Sequence, residues 1–116
     1  MTADYILVLE DNVLVGMDIE EVLSSRGHAV ALAVDLAEAE SLIARQMPAI
    51  ALLDLRLPDG DSAPLALRLV QEGCTVAFIS GADSGVIPAS LGTVPRFPKP
   101  AGAWQLADWV DGLRRS

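Results

Sequence analysis

The sequence predicts an α/β protein: a doubly wound, five-stranded parallel sheet with helices on both faces and a fourth helix that is short or irregular. Three observations carry this expectation. Short, continuously apolar runs recur, as strands buried on both faces require. Longer segments with helical spacing and polar caps separate them, the alternation expected of a parallel sheet. Between the fourth and fifth runs, Gly81, Gly85, Pro88, Gly92 and Pro95 crowd together. Glycine and proline disfavour a helix interior by about 1 and about 3 kcal/mol relative to alanine.

The elements follow in order. The first strand is the apolar run 5–9. A helix over 13–26 has Val15, Ile19, Val22 and Leu23 on one face, Asn12 to cap it and Gly27 to end it. A second strand spans 29–33. Asp35-Leu36-Ala37-Glu38 resembles a capping box and opens a helix to about 46, which Pro48 stops. The third strand, 50–53, runs into the loop 54–61. A third helix, 64–72, begins with a proline, tolerated in a first turn, and ends before Gly73. The fourth strand is 75–79, a short fifth lies near 96–97, and a last helix over 103–114 turns Leu106, Val110 and Leu113 inward.

The 116 residues suit one domain, 1–116. Hydrophobic residues make up 52%, too many for a disordered chain. Sixteen acids against eight bases give a formal net charge of −8, and Arg114-Arg115 is the one basic pair, so nucleic-acid binding is not expected. The single Cys74 excludes an internal disulfide and reads as a small buried residue in a reducing compartment. There is neither a basic signal-peptide start nor a run near the roughly 18 apolar residues of a membrane span. A soluble cytoplasmic protein, monomeric or weakly dimeric, is expected. His28 reads as a plain surface histidine, and Trp104 and Trp109 as packing residues.

In open parallel sheets, sites form outside the carboxyl ends of the strands, at a switch in strand order. Those ends carry Glu10-Asp11, Asp54, Ser80 and, after the fifth strand, Lys99. Each has a bland reading alone: a cap for Asp54, a solvated pair for Glu10-Asp11, a turn for Ser80, a surface lysine for Lys99. Together they are harder to dismiss. Two like charges about 4 Å apart repel by roughly 4 kcal/mol at an effective dielectric near 20, so three clustered carboxylates want a cation. All-oxygen ligands suit Mg2+. A phosphoryl group could complete its shell, with Ser80 and Lys99 on the remaining oxygens and Asp54 as nucleophile.

VLEDN (8–12), LLDLRLPDGD (52–61), FISG (78–81) and FPKP (97–100) stand in the order and spacing of bacterial response-regulator receiver domains, and the chain resembles that family over its whole length. The resemblance implies the flavodoxin-like fold of chemotaxis-type stand-alone receivers. It implies a phosphoacceptor, Asp54, and a Mg2+ site of Asp11, Asp54, Glu10 acting mainly through water, and the backbone carbonyl of Arg56. It implies that Ser80 moves to the phosphoryl group, that Lys99 pairs with it, and that Lys99-Pro100 is cis. The donor would be a histidine kinase or histidine phosphotransfer protein, and output would pass to a protein partner. Such a receiver is not an enzyme beyond its own phosphorylation and slow autodephosphorylation. Alternatives are a phosphate sink and a phosphorylation-independent interaction module.

Two enzyme or ligand-binding readings fare worse. A haloacid-dehalogenase-type phosphatase needs a second Asp two residues after the nucleophile, where Arg56 stands. A nucleotide-binding domain needs a Gly-rich turn after the first strand, which LEDNVLVG lacks. The chain departs from the family at Arg96, where members often carry an aromatic. A rotating aromatic switch is not expected there, and Arg96 should instead offer its charge to a partner. The segment 82–94 is expected to be irregular and loose.

Overall fold

A computed structural model describes residues 4–80, 87–100 and 102–115. Strands β1 (Ile6–Leu9), β2 (Val30–Ala33) and β3 (Ile50–Asp54) alternate with helices α1 (Val13–Ser25) and α2 (Leu36–Arg45). A small hairpin, β4 (Arg56–Leu57) and β5 (Gly60–Asp61), precedes α3 (Ala63–Gln71), β6 (Thr75–Ser80), β7 (Arg96–Pro98) and α4 (Ala103–Arg115). The main sheet is parallel throughout, in the order β2-β1-β3-β6-β7. The chain leaves β1 to one side for β2 and returns to the other for β3. The switch point therefore falls between the carboxyl ends of β1 and β3, where a ligand crevice forms in this architecture.

Alternation along the strands feeds two cores. Leu7, Leu9, Leu53 and Phe78 pack beneath α2 and α3 with Ala39, Ala66 and Leu69. Ile6, Val8, Leu52 and Ile79 pack on the other face beneath α1 and α4 with Ile19, Leu23, Leu106 and Val110. Truncating a fully buried leucine such as Leu53 to alanine costs about 2–5 kcal/mol. The continuous apolar runs of β1 and β3 thus have partners on both sides, as the sequence pattern required.

The helix boundaries have identifiable causes. Asn12 Oδ1 accepts from the backbone N–H groups of Leu14 (3.1 Å) and Val15 (3.3 Å), capping α1. Asp35 Oδ1 accepts from Glu38 N at 2.8 Å and caps α2. Gly27, at φ +88°, and Gly73, at φ +91°, take left-handed conformations just past α1 and α3, where a side chain would be strained. Between β6 and β7, the described residues hold a single 3-10 turn, Ala89–Leu91, in place of an α-helix. The rest of the segment expected to be irregular, residues 82–86, lies outside the described residues, and the expectation is not tested there.

Three sequence expectations are corrected. His28 is no plain surface residue: its side chain is 8% exposed and its Nε2 lies 2.7 Å from Asp111 Oδ1. Trp104 is not a packing residue but lies on the surface, 65% exposed, with the Arg26 guanidinium 5.0 Å from its ring centre. Arg96 does not simply offer its charge outward, because it bonds Ser80. Trp109 does pack, edge-on against Phe97. Among the described residues, no helix is long and apolar enough to cross a membrane.

Candidate phosphoacceptor and metal site

Every residue singled out at a strand end reaches the same edge of the sheet. Glu10 and Asp11 follow β1, Asp54 ends β3, Ser80 ends β6, and Lys99 follows β7. Glu10, Asp11 and Asp54 each offer a carboxylate oxygen within 4.8 Å of the others, so the cluster could hold a metal ion. Glu10 and Asp54 are buried and Asp11 is exposed, which opens the cluster to solvent on one side.

Lys99 closes the other side. Its Nζ lies 2.8 Å from Asp54 Oδ2 and 3.1 Å from Glu10 Oε1. The Lys99–Pro100 peptide is cis, as the resemblance implied. One ammonium faces three carboxylates, so negative charge remains in excess. Glu10 Oε2 accepts from Asn12 N at 3.1 Å. Glu10 Oε1 is buried without a well-directed hydrogen bond, its contact with Lys99 being an ion pair of poor alignment. A buried oxygen left so, beside two more carboxylates, fits an oxygen-seeking divalent cation.

The electrostatics agree. Burial pushes the Glu10 carboxyl up to about 7; the neighbouring Asp11 and the charge of Asp54 push the same way, against the Asn12 N–H and Lys99. Interaction with Glu10 holds Asp11 below its ordinary value. Burial pulls Lys99 down, but its hydrogen bonds to Asp54 and Glu10 outweigh that and its pKa is raised. The ammonium therefore persists beside the acids.

The surrounding loops hold these groups in place. Ser62 Oγ, fully buried, donates to the backbone carbonyl of Asp54 at 2.6 Å. Arg56, the proposed carbonyl ligand, opens β4 two residues beyond Asp54 with its side chain exposed. Asp59, in the turn of the β4–β5 hairpin, accepts from the N–H groups of Leu36 (2.9 Å) and Ala37 (3.1 Å), tying that hairpin to the start of α2. A groove of about 530 Å³ opens beside Lys99, lined by Asn12, Leu14, Val15, Ile79 and Pro100. Leu14 on its rim is 79% exposed.

Sequence reasoning missed Ser62, Asp59 and the Arg96–Ser80 bond. Ser62 stands where a helix cap would, just before Ala63-Pro64, and only the fold shows that its hydroxyl turns back to Asp54. The acid at Asp59 was visible in the loop, but its target helix lies 23 residues earlier in the chain.

No family model matches the chain. Over 63 residues, 54% of its length, the chain is 40% identical to the virulence transcriptional regulatory protein PhoP of Salmonella typhimurium. The PhoP of Shigella flexneri matches over the same length at 38% identity. The chain spans about 28% of the length of these curated relatives. Among solved structures, it is similar to a CheY-like response regulator receiver domain protein from Methanospirillum hungatei, with a TM-score of 0.82 and 20% identity over 97% of this chain and 94% of that one. It is also similar to a response regulator from Burkholderia pseudomallei, solved with a phosphorylated aspartic acid, a calcium ion and citrate. There the TM-score is 0.76 at 20% identity, over 97% of this chain and 73% of that one.

Proposed function

We propose that this chain, which has the fold of response-regulator receiver domains and a PhoP-like stretch, is a phosphoacceptor: Asp54 takes a phosphoryl group from a histidine kinase or histidine phosphotransfer protein. The observation that carries this reading is the convergence of Glu10, Asp11, Asp54 and Lys99 on one point at the sheet's switch. The unit that does this is residues 1–116 acting as a single receiver, a cytoplasmic signalling domain and not an enzyme with an outside substrate. Its output passes to a protein partner.

Glu10, Asp11, Asp54 and the Arg56 carbonyl would hold Mg2+. When bound, the cation supplies charge neutralisation for the phosphoryl oxygens. The chain's own groups do the rest. An Asp54 carboxylate oxygen attacks phosphorus, the P–N bond to the donor histidine breaks, and its electron pair returns to the imidazole. Ser62 fixes the backbone from which Asp54 attacks. Lys99 gives up part of its contact with Asp54 and pairs with the transferred oxygens, and Ser80 donates its hydroxyl proton in a hydrogen bond to another. Slow hydrolysis by water later breaks the acyl phosphate and restores the carboxylate. The exposed apolar rim of the groove beside Lys99 gives an incoming helix or loop of the donor a surface to rest on.

Incubation with a small phosphodonor, read by intact mass, tests the proposal. One added phosphoryl group with Mg2+ present, and none after chelation, is expected. No mass gain in either condition overturns it.

A further inference from the structure

Ser80 is gripped twice by the edge strand β7 and the residue that follows it. Arg96 Nε donates to Ser80 Oγ at 2.7 Å, and the Ser80 carbonyl accepts from Lys99 N at 2.7 Å. Ser80 is 2% exposed, whereas Arg96 lies on the last strand of the sheet, in register with Phe78. A serine hydroxyl has two acceptor lone pairs and one proton. Arginine has only donors, and its guanidinium keeps its proton at any pH of interest. The hydroxyl must therefore act as an acceptor toward Arg96. Its single proton is left to point elsewhere.

We propose that Arg96 is a positioning residue for the phosphoryl site: by donating to Ser80 Oγ it commits the Ser80 proton to a phosphoryl oxygen on Asp54, and it carries the phosphorylation state to the exposed edge strand. This rests on the phosphoacceptor reading above. A phosphoryl oxygen is an acceptor, so a hydroxyl already accepting from Arg96 meets it with the correct polarity. The positive charge on Arg96 also polarises the O–H bond, making it a stronger donor. When Ser80 shifts toward the phosphoryl group, the bonded guanidinium is drawn with it or released, and either event changes the surface of β7. The coupling needs no rotating aromatic.

The test uses Arg96→Ala and Arg96→Lys in the full chain with Mg2+ and a small phosphodonor. Lysine keeps the charge and the stem but lacks the Nε donor and the guanidinium plane. Both variants should be phosphorylated about tenfold more slowly, the loss of one charged hydrogen bond, with Mg2+ affinity unchanged. In the wild type, the Arg96 Nε–H signal in NMR should exchange slowly with water, shift on adding beryllofluoride, and lose its protection in Ser80→Ala. An Ala variant as fast as wild type overturns the proposal, since the Ser80 hydroxyl would then need no donor at position 96. So does an Nε–H signal indifferent to both Ser80→Ala and beryllofluoride. A wild-type chain that takes up no phosphoryl group defeats the phosphoacceptor reading itself, and this proposal falls with it. The Ser80→Ala comparison still reports on the Arg96–Ser80 bond in that event.

Discussion

Lys99 Nζ stands 2.8 Å from Asp54 Oδ2, so the proposed nucleophile is held by an ammonium rooted beyond the last strand of the sheet. The lysine is one-third exposed and Asp54 almost wholly buried. Removing the lysine leaves the acid without its cation and with little access to water.

Lys99→Met should therefore destabilise the metal-free protein by about 1–3 kcal/mol, the range for a buried polar group that loses its partner. Mg2+ should stabilise the variant more than it stabilises the wild type, because the cation then meets the carboxylates without a competing ammonium. Urea melts with and without Mg2+ measure both. Equal Mg2+ gains in the two proteins would show that Lys99 does not compete at the metal position.

Glu10 gives a pH dependence. Its folded pKa, about 7, lies above the ordinary 4.5. Between those values the folded chain holds a proton that the unfolded chain has lost, so metal-free stability falls as pH rises through that window. Cation binding needs the carboxylates ionised. Mg2+ affinity should then climb by up to about tenfold per pH unit below pH 7 and level off above it. Calorimetric titrations across this range check it. Glu10→Gln should flatten the climb, and Asp11→Ala should weaken binding more than Glu10→Ala, because Asp11 is the ligand assigned to direct contact. A profile that stays steep in Glu10→Gln would place the titrating group elsewhere.

Asp59 tethers the hairpin that carries Arg56 to the first turn of α2. Its pKa is held down, first by the Leu36 N–H and also by that of Ala37. For a depressed carboxylate, the stabilisation is present above the ordinary 3.8 and is lost as pH falls below it toward the folded value. Asp59→Ala should speed hydrogen exchange at Leu36 and Ala37 and weaken Mg2+ binding a few-fold by loosening the Arg56 backbone. Unchanged exchange at those two amides would mean the tether is idle in solution.

Much of this was readable before the fold was known. Runs buried on both faces mark β1 and β3 by their unbroken apolar character, and the carboxylates at their ends, bland one by one, stand out through their joint placement at one end of the sheet. Caps such as Asn12 and Asp35 act on neighbours a few residues away, so their role is local and visible. The Arg96–Ser80 bond was not, because it depends on the register of β6 against β7, set by long-range pairing. His28 and Asp111 are similarly remote, 83 residues apart, and meet only once α4 packs against α1. The β4–β5 hairpin is too short to leave a periodic trace, with two residues in each strand.

The central claim is that Asp54 is the phosphoacceptor, and borohydride trapping tests it most directly. The protein is treated with a small phosphodonor and Mg2+, then reduced, which converts an aspartyl phosphate to homoserine. Peptide mapping should find homoserine at position 54 in the wild type and nowhere in Asp54→Asn. Homoserine at Asp11 or Asp59, or equal trapping in the Asn variant, would contradict the account.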